Sequence, residues 1–182
     1  WNELIKDKNV KLIDIRNIYE INIGKFKGAL DPNTTNFRQF PNKLKVLGIK
    51  KDDKIAMYCT GGIRCEKASA YLKLNGFNNI SQLEGGILNY LQYIKNKKIK
   101  SLWKGECFVF DNRVTVSKDL AIGKYDQCYG CRHPITNDEK KLKSYIKGVS
   151  CKYCYKDRTK FQKKRSITRQ NQINLANQRG QS

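Results

Sequence analysis

The chain has 182 residues, enough for one ordinary domain and a small appendage, and its 39% hydrophobic content supports a buried core. No apolar run approaches the ~18–20 residues of a spanning helix, and the opening Trp1-Asn2-Glu3 has neither the basic nor the apolar part of a signal peptide. A membrane partner is therefore not expected. The net charge of +21, from 37 basic and 16 acidic residues, points to a polyanion such as RNA or DNA. An abundance of Lys, Asn and Ile throughout also reads as a compositional bias that inflates this charge. The only methionine is Met57, which suggests a processed chain or a fragment. Seven cysteines, an odd number, suit a reducing cytoplasm with metal-binding and reactive thiols better than a disulfide framework.

In chain order, residues 11–15 (Lys-Leu-Ile-Asp-Ile) read as a short buried strand with Asp14 and Arg16 at its mouth. Gly24 and Gly28 bracket a turn or short strand. The loop 31–36 precedes a helix over about 37–47, interrupted or restarted by Pro41 and closed by Gly48. Residues 54–58 form the next strand. Residues 66–75 form a helix with Ala68, Tyr71 and Leu72 on one face and Gly76 as its stop. A strand at 80–83 is turned by Gly85-Gly86 into a helix over 87–96. Alternating strands and helices over a hundred residues predict an α/β fold with a largely parallel sheet flanked by helices. Reactive residues in such folds sit beyond the carboxyl ends of strands.

Cys59 stands at such an end, in Tyr58-Cys59-Thr60-Gly61-Gly62-Ile63-Arg64-Cys65. Backbone N–H groups converge between a strand end and a helix start, and both they and the helix dipole favour a thiolate. Gly61 and Gly62 let the backbone of Thr60 to Arg64 curl into an anion nest, and Arg64 adds a positive charge. Cys59 thus reads as a nucleophile in an anion cradle rather than an inert strand-end cysteine. Arg64 falls one position short of the arginine in a cysteine phosphatase cradle, where Cys65 stands instead. The smaller cradle suits a sulfur carried on Cys59 as a persulfide. Cys65 either resolves an oxidised or persulfidated Cys59 or packs in the first helical turn. Asp14 and Arg16 either face the same crevice or fix the loop as an ion pair.

Beyond this domain, residues 106–116 read as two strands about a tight turn at Asp111-Asn112, with Cys107 packing at the start. Cys128-x-x-Cys131 and Cys151-x-x-Cys154, separated by nineteen residues, can close tetrahedrally on a structural zinc ion. His133, the only histidine, could compete as a ligand, but four cysteines suffice. Residues 156–182 hold eight cations and a single acid. They form either a helix lying on RNA phosphates or a solvated terminus. Tyr129, Tyr153, Tyr155 and Phe161 either stack on bases or supply the small core of the cysteine module. The boundaries expected are a domain at 1–98, a linker and hairpin at 99–126, the four-cysteine module at 127–156 and a basic tail at 157–182.

In order and spacing, Asp14-Ile15-Arg16, Glu20, Gly24, Gly28-Ala29, the loop from Cys59 to Arg64 and Leu83-Glu84-Gly85-Gly86 resemble a rhodanese domain, whose loop cysteine carries sulfane sulfur. Gly24-Lys25-Phe26 departs from the Gly-His-Ile common in rhodaneses. The finer text resembles one branch: Asp14-Ile-Arg-Asn-Ile-Tyr-Glu, Gly28-Ala-Leu-Asp-Pro-Asn-Thr, Tyr58-Cys-Thr-Gly-Gly-Ile-Arg-Cys-Glu-Lys-Ala, Gln82-Leu-Glu-Gly-Gly-Ile-Leu-Asn-Tyr and Trp103-Lys-Gly-Glu-Cys-Phe-Val-Phe-Asp-Asn-Arg-Val. Across nearly the whole chain it is similar to the bacterial rhodanese-containing tRNA uridine hydroxylases. The resemblance implies formation of 5-hydroxyuridine at the tRNA wobble position, with O2 as co-substrate and the anticodon arm as partner. It also implies a ferredoxin-like domain ahead of the rhodanese domain. No nucleotide cofactor motif is recognised. The competing expectations are a sulfurtransferase carrying a persulfide on Cys59 and a non-catalytic RNA-binding module.

Overall fold

The computed structural model describes residues 1–180. The chain divides into two compact units, Trp1–Gly123 and a second that begins at Lys124. The first runs α1 (Asn2–Lys6), β1 (Val10–Asp14), α2 (Ile18–Ile21), β2 (Gly24–Phe26), α3 (Phe40–Leu44), β3 (Lys54–Tyr58), α4 (Ile63–Leu74), β4 (Ile80–Gln82), α5 (Gly86–Lys97), β5 (Trp103–Gly105), β6 (Cys107–Phe108) and β7 (Thr115–Val116).

Its centre is a parallel sheet in the order β1-β3-β4, with Val10 opposite Lys54, Asp14 opposite Tyr58 and Ile55 opposite Ile80. Leu30 bridges Ile13 along the free edge of β1. The alternation along β1 and β3 divides the core in two, because successive side chains leave a strand on opposite faces. Leu12, Ala56 and Tyr58 pack with Ile87, Leu91 and Ile94 of α5. Ile13, Ile15, Ile55 and Met57 pack with Phe40 and Leu44 of α3 and with Cys65, Ala68 and Leu72 of α4. Helices therefore cover both faces of the sheet, as the sequence pattern predicts.

Three local expectations are refined. Pro41 lies in the first turn of α3, where its missing N–H removes no helical hydrogen bond, so the helix restarts there rather than breaking. Helix α4 begins at Ile63, three residues before the predicted start, because Gly62 at φ 93° closes the loop early. The hairpin turn is centred one residue later than expected, on Asn112-Arg113, where the Val114 N–H donates to the Asp111 carbonyl at 3.1 Å and the Val109 N–H to the Val114 carbonyl at 2.9 Å. Cys107 pairs with Val116 and Phe108 with Thr115, and the six residues between them form the hairpin loop that this turn closes. In it the Asp111 carboxylate accepts from the backbone N–H and the guanidinium of Arg113, and Val114 takes a left-handed φ of 62°.

Residues 103–105 are tied into the first unit, since β5 pairs antiparallel with β2 and sets Trp103 opposite Phe26. Phe26 meets Tyr58, Tyr90 and Trp103 edge-on, with centroids 4.9, 4.8 and 5.2 Å away.

The second unit contains a two-stranded pair, β8 (Asp126–Gln127) and β9 (Pro134–Ile135), and a final helix α6 (Lys160–Gln178). Its core is small: Cys128, Ile135, Cys151 and Cys154, with Cys131 and Tyr145 partly buried beside them. Thr159 and Gln162 form a reciprocal capping box at the start of α6, and Ser166 is the only residue of the helix that is buried. Among the described residues no helix is long and apolar enough to cross a membrane.

Candidate active site

The loop between β3 and α4 places Cys59, 2% exposed, at the base of a cleft of about 360 Å³. Thr60, Gly61, Arg64 and, from the hairpin loop, Val109 and Phe110 line it. The positive φ of Gly62 turns its N–H onto the Cys59 Sγ, at 3.1 Å. Hydrogen bonding from the Cys65 thiol is the strongest influence on Cys59. Burial opposes it, while the N–H groups of Cys65 and Arg64 and the Arg64 charge reinforce it. Together they lower the Cys59 thiol to about 5, so Cys59 is a thiolate at neutral pH. The same pairing, with burial, holds the Cys65 thiol far above its ordinary range. Cys65 is fully buried and packs against the sheet while its S–H faces Cys59.

The outer side of the loop is equally fixed. The carbonyls of Cys59 and Thr60 accept from the N–H groups of Ile87 and Leu88, at 3.0 and 3.2 Å, in the first turn of α5. This approach requires Gly86, since a Cβ there would lie 2.5 Å from both oxygens.

The positive charge that Arg64 brings to the loop is paired. Its Nη1 and Nη2 donate to the two carboxylate oxygens of Glu20, each at 2.7 Å. Glu20 is fully buried and also accepts from the Thr60 hydroxyl at 3.3 Å and the Asn17 N–H at 3.0 Å. The anion-attracting groups around Cys59 are thus mainly N–H dipoles, with an Arg64 charge that Glu20 balances. Glu20 carries no role in the sequence reading. The spacing Asn17-Ile-Tyr-Glu20 signals its capping box, but its pairing with Arg64, forty-four residues on, has no local signal.

Asp14 and Arg16 lie beneath the loop, both fully buried, and do not line the cleft. Arg16 Nε and Nη2 donate to the Asp14 carboxylate at 2.9 and 2.7 Å. Its remaining donors reach the carbonyls of Glu20 and Gly24, at 3.3 and 2.6 Å. The pair therefore anchors α2 and β2, and through α2 it positions Glu20. Val109 and Phe110 from the hairpin loop and Leu88 from the first turn of α5 also line the cleft, and the sequence does not announce them, because their approach to Cys59 depends on packing between distant segments.

In the second unit, the Sγ atoms of Cys128, Cys131, Cys151 and Cys154 all lie within 4.8 Å of one another. Cys128 and Cys154 are 4.0 Å apart, and Cys131 and Cys151 3.6 Å. A tetrahedron with Zn–S bonds of about 2.3 Å has edges of roughly 3.8 Å. The four cysteines therefore fit a metal ion such as zinc. His133 stands beside the cluster, with Nδ1 3.4 Å from the Cys131 Sγ and its ring stacked on Tyr153 at 4.7 Å.

Residues 1–93 match the family described as the rhodanese-like domain, half of the chain. Among solved structures the chain is similar to a rhodanese-related protein from Thermoplasma volcanium, at 26% identity over 50% of this chain and 84% of that one, with a TM-score of 0.43. It is similar to a rhodanese-like domain protein from Staphylococcus aureus, at 28% identity over 48% and 79%, with a TM-score of 0.40. It is also similar to the rhodanese-like domain of an Anabaena protein, at 21% identity over 46% and 76%, with a TM-score of 0.40. The matched residues hold the parallel sheet, the Cys59 loop and the start of α5 that pins it, and this chain belongs to the rhodanese-like domain family.

Proposed function

We propose that the chain is part of a tRNA-modifying oxidoreductase that hydroxylates wobble uridine to 5-hydroxyuridine in an oxygen-dependent reaction, with Cys59 as its reactive residue. The observation that carries this reading is a thiolate held by an N–H nest at the base of a cleft, within motifs that resemble the tRNA uridine hydroxylases from Asp14 to Val114. In this reading Cys59 is the nucleophile and persulfide carrier, and Thr60 to Arg64 shape its cradle. Glu20, Asp14 and Arg16 hold that cradle in place. The four-cysteine cluster holds zinc as a structural ion, since four protein ligands leave no open position. The basic second unit helps to hold the anticodon arm.

The test is expression in a bacterial host lacking its own 5-hydroxyuridine enzymes, followed by nucleoside analysis of tRNA. The protein should restore the modified base, and Cys59→Ser should abolish it. Equal restoration by the serine variant would remove Cys59 from the chemistry.

A second reading, sulfur transfer, is favoured by the same nest. The Cys59 thiolate attacks the sulfane sulfur of a persulfide donor, forming Cys59–S–SH while the donor's S–S bond breaks and the donor leaves as a thiolate. Sulfur transfer from thiosulfate or a persulfide with no change in tRNA would favour this reading over hydroxylation. Tight tRNA binding with no chemistry dependent on Cys59 would favour a binding module instead.

A further inference from the structure

Helix α6 has two dissimilar sides. One is seated on the four-cysteine unit around Ser166. Arg158 Nη2 donates to the Ser166 hydroxyl at 2.6 Å and to the Gln162 carbonyl at 3.1 Å, and its Nη1 donates to the Gly130 carbonyl. Arg169 Nη2 donates to the carbonyls of Tyr129 and Gly148, at 3.0 and 2.8 Å. Both arginines are held by carbonyls and a hydroxyl, so fixing the helix leaves their charge unbalanced.

At about 100° per residue, the opposite side carries Phe161, Lys164, Thr168 and Asn171, flanked by Lys160 and Arg165. Phe161 is 74% exposed. No acidic residue follows Asp157. The other three acids of this unit, Asp126, Asp138 and Glu139, already pair with Lys140, Lys141 and Lys152.

A helix with one buried residue in nineteen is not explained by packing within its own unit. Of its apolar residues, Ile167 and Ile173 point away from Phe161 on different sides, and Leu175 shares the side of Phe161 only from fourteen residues along the helix. They form no stripe that would enter a membrane surface or a hydrophobic groove. Cations that hold phosphates, an exposed ring that stacks on a base, and amide side chains that reach base edges are instead the equipment for nucleic acid with unstacked bases.

We propose that the outward side of α6 is an RNA-binding surface. Lys160, Lys164 and Arg165 bind phosphates, and Phe161 stacks on a base splayed out of a loop. The choice of RNA rests on the tRNA reading above, whereas the chemistry at Cys59 plays no part in it.

The experiment is fluorescence anisotropy with the full chain, metal-loaded, against a labelled RNA stem–loop and a blunt RNA duplex of the same length, over a range of KCl. Phe161→Ala should weaken stem–loop binding by about 5- to 150-fold and duplex binding much less, and Phe161→Trp should restore it. Replacing Lys160, Lys164 and Arg165 by alanine should flatten the logarithmic salt dependence by about 0.7 for each phosphate no longer neutralised. If the stem–loop binds but neither set of variants changes affinity or slope, the α6 surface is wrong while the tRNA partner stands. If Phe161→Ala weakens both RNAs equally, stacking is wrong. Binding to anionic phospholipid vesicles with no binding to either RNA overturns both the surface and its partner.

Discussion

The reactivity of Cys59 is set by its immediate neighbours, and its pH dependence tests this directly. With its thiol lowered to about 5, Cys59 stays ionised as pH falls from 9 to 6 and becomes protonated only through about 5. Iodoacetamide labelling of Cys59 should therefore be flat at neutral pH and lose half its rate near pH 5, whereas an ordinary cysteine already loses it below about 8.5. Cys65→Ala removes the strongest stabilising hydrogen bond and should move that midpoint upward. Mass spectrometry of the labelled site at each pH reads both outcomes. Beneath the loop, Asp14→Ala leaves Arg16 charged, fully buried and short of its carboxylate. The expected loss is about 3–5 kcal/mol, a large part of an ordinary domain's stability, measured by urea unfolding. The peptide carbonyls of Glu20 and Gly24 cannot replace the missing negative charge.

At the scale of elements, α5 matters as much for its first turn as for its apolar face. Gly86→Ala drives a Cβ against the carbonyls of Cys59 and Thr60 at a residue with φ 65°. It should cost of order 1–3 kcal/mol and slow Cys59 labelling. Gly28→Ala, at φ 81° with no atom near the new Cβ, carries the backbone cost alone and should leave labelling unchanged. Most of these elements were legible in the sequence. Residues 55–58 are an apolar run buried on both faces, residues 12–15 are the same but for Asp14, and the glycines at 61, 62, 85 and 86 mark the turns. The loop's N–H nest followed from its place between strand and helix. What stayed hidden depends on distant partners. The pairing of Glu20 with Arg64 joins α2 to α4, the pairing of β5 with β2 spans almost eighty residues, and the hairpin loop reaches the cleft through an irregular path. None of these leaves a local period or motif.

At the scale of the whole molecule, the two units draw their stability from different sources. The first has two apolar clusters on opposite sides of a sheet, while the second has a core made largely of cysteines. With zinc held by the four cysteines as proposed, a strong chelator should therefore unfold the second unit and leave the first folded. Amide hydrogen exchange would show protection lost in β8, β9 and α6 but kept in β1, β3 and α5. The charge of the chain is also unevenly available. At the cleft, Arg64 is matched by Glu20 and Arg113 by Asp111, whereas α6 has no acid of its own. A small anion at the cleft consequently meets a guanidinium that is already paired and gains less from it than from a free cation. The kinetic salt effect on a dianionic sulfur donor should be shallower than the salt dependence of the RNA binding proposed for α6. If α6 binds RNA as proposed, rising ionic strength should weaken that binding more than it slows the meeting of a small sulfur donor with Cys59, beside which Arg64 is already paired with a buried carboxylate.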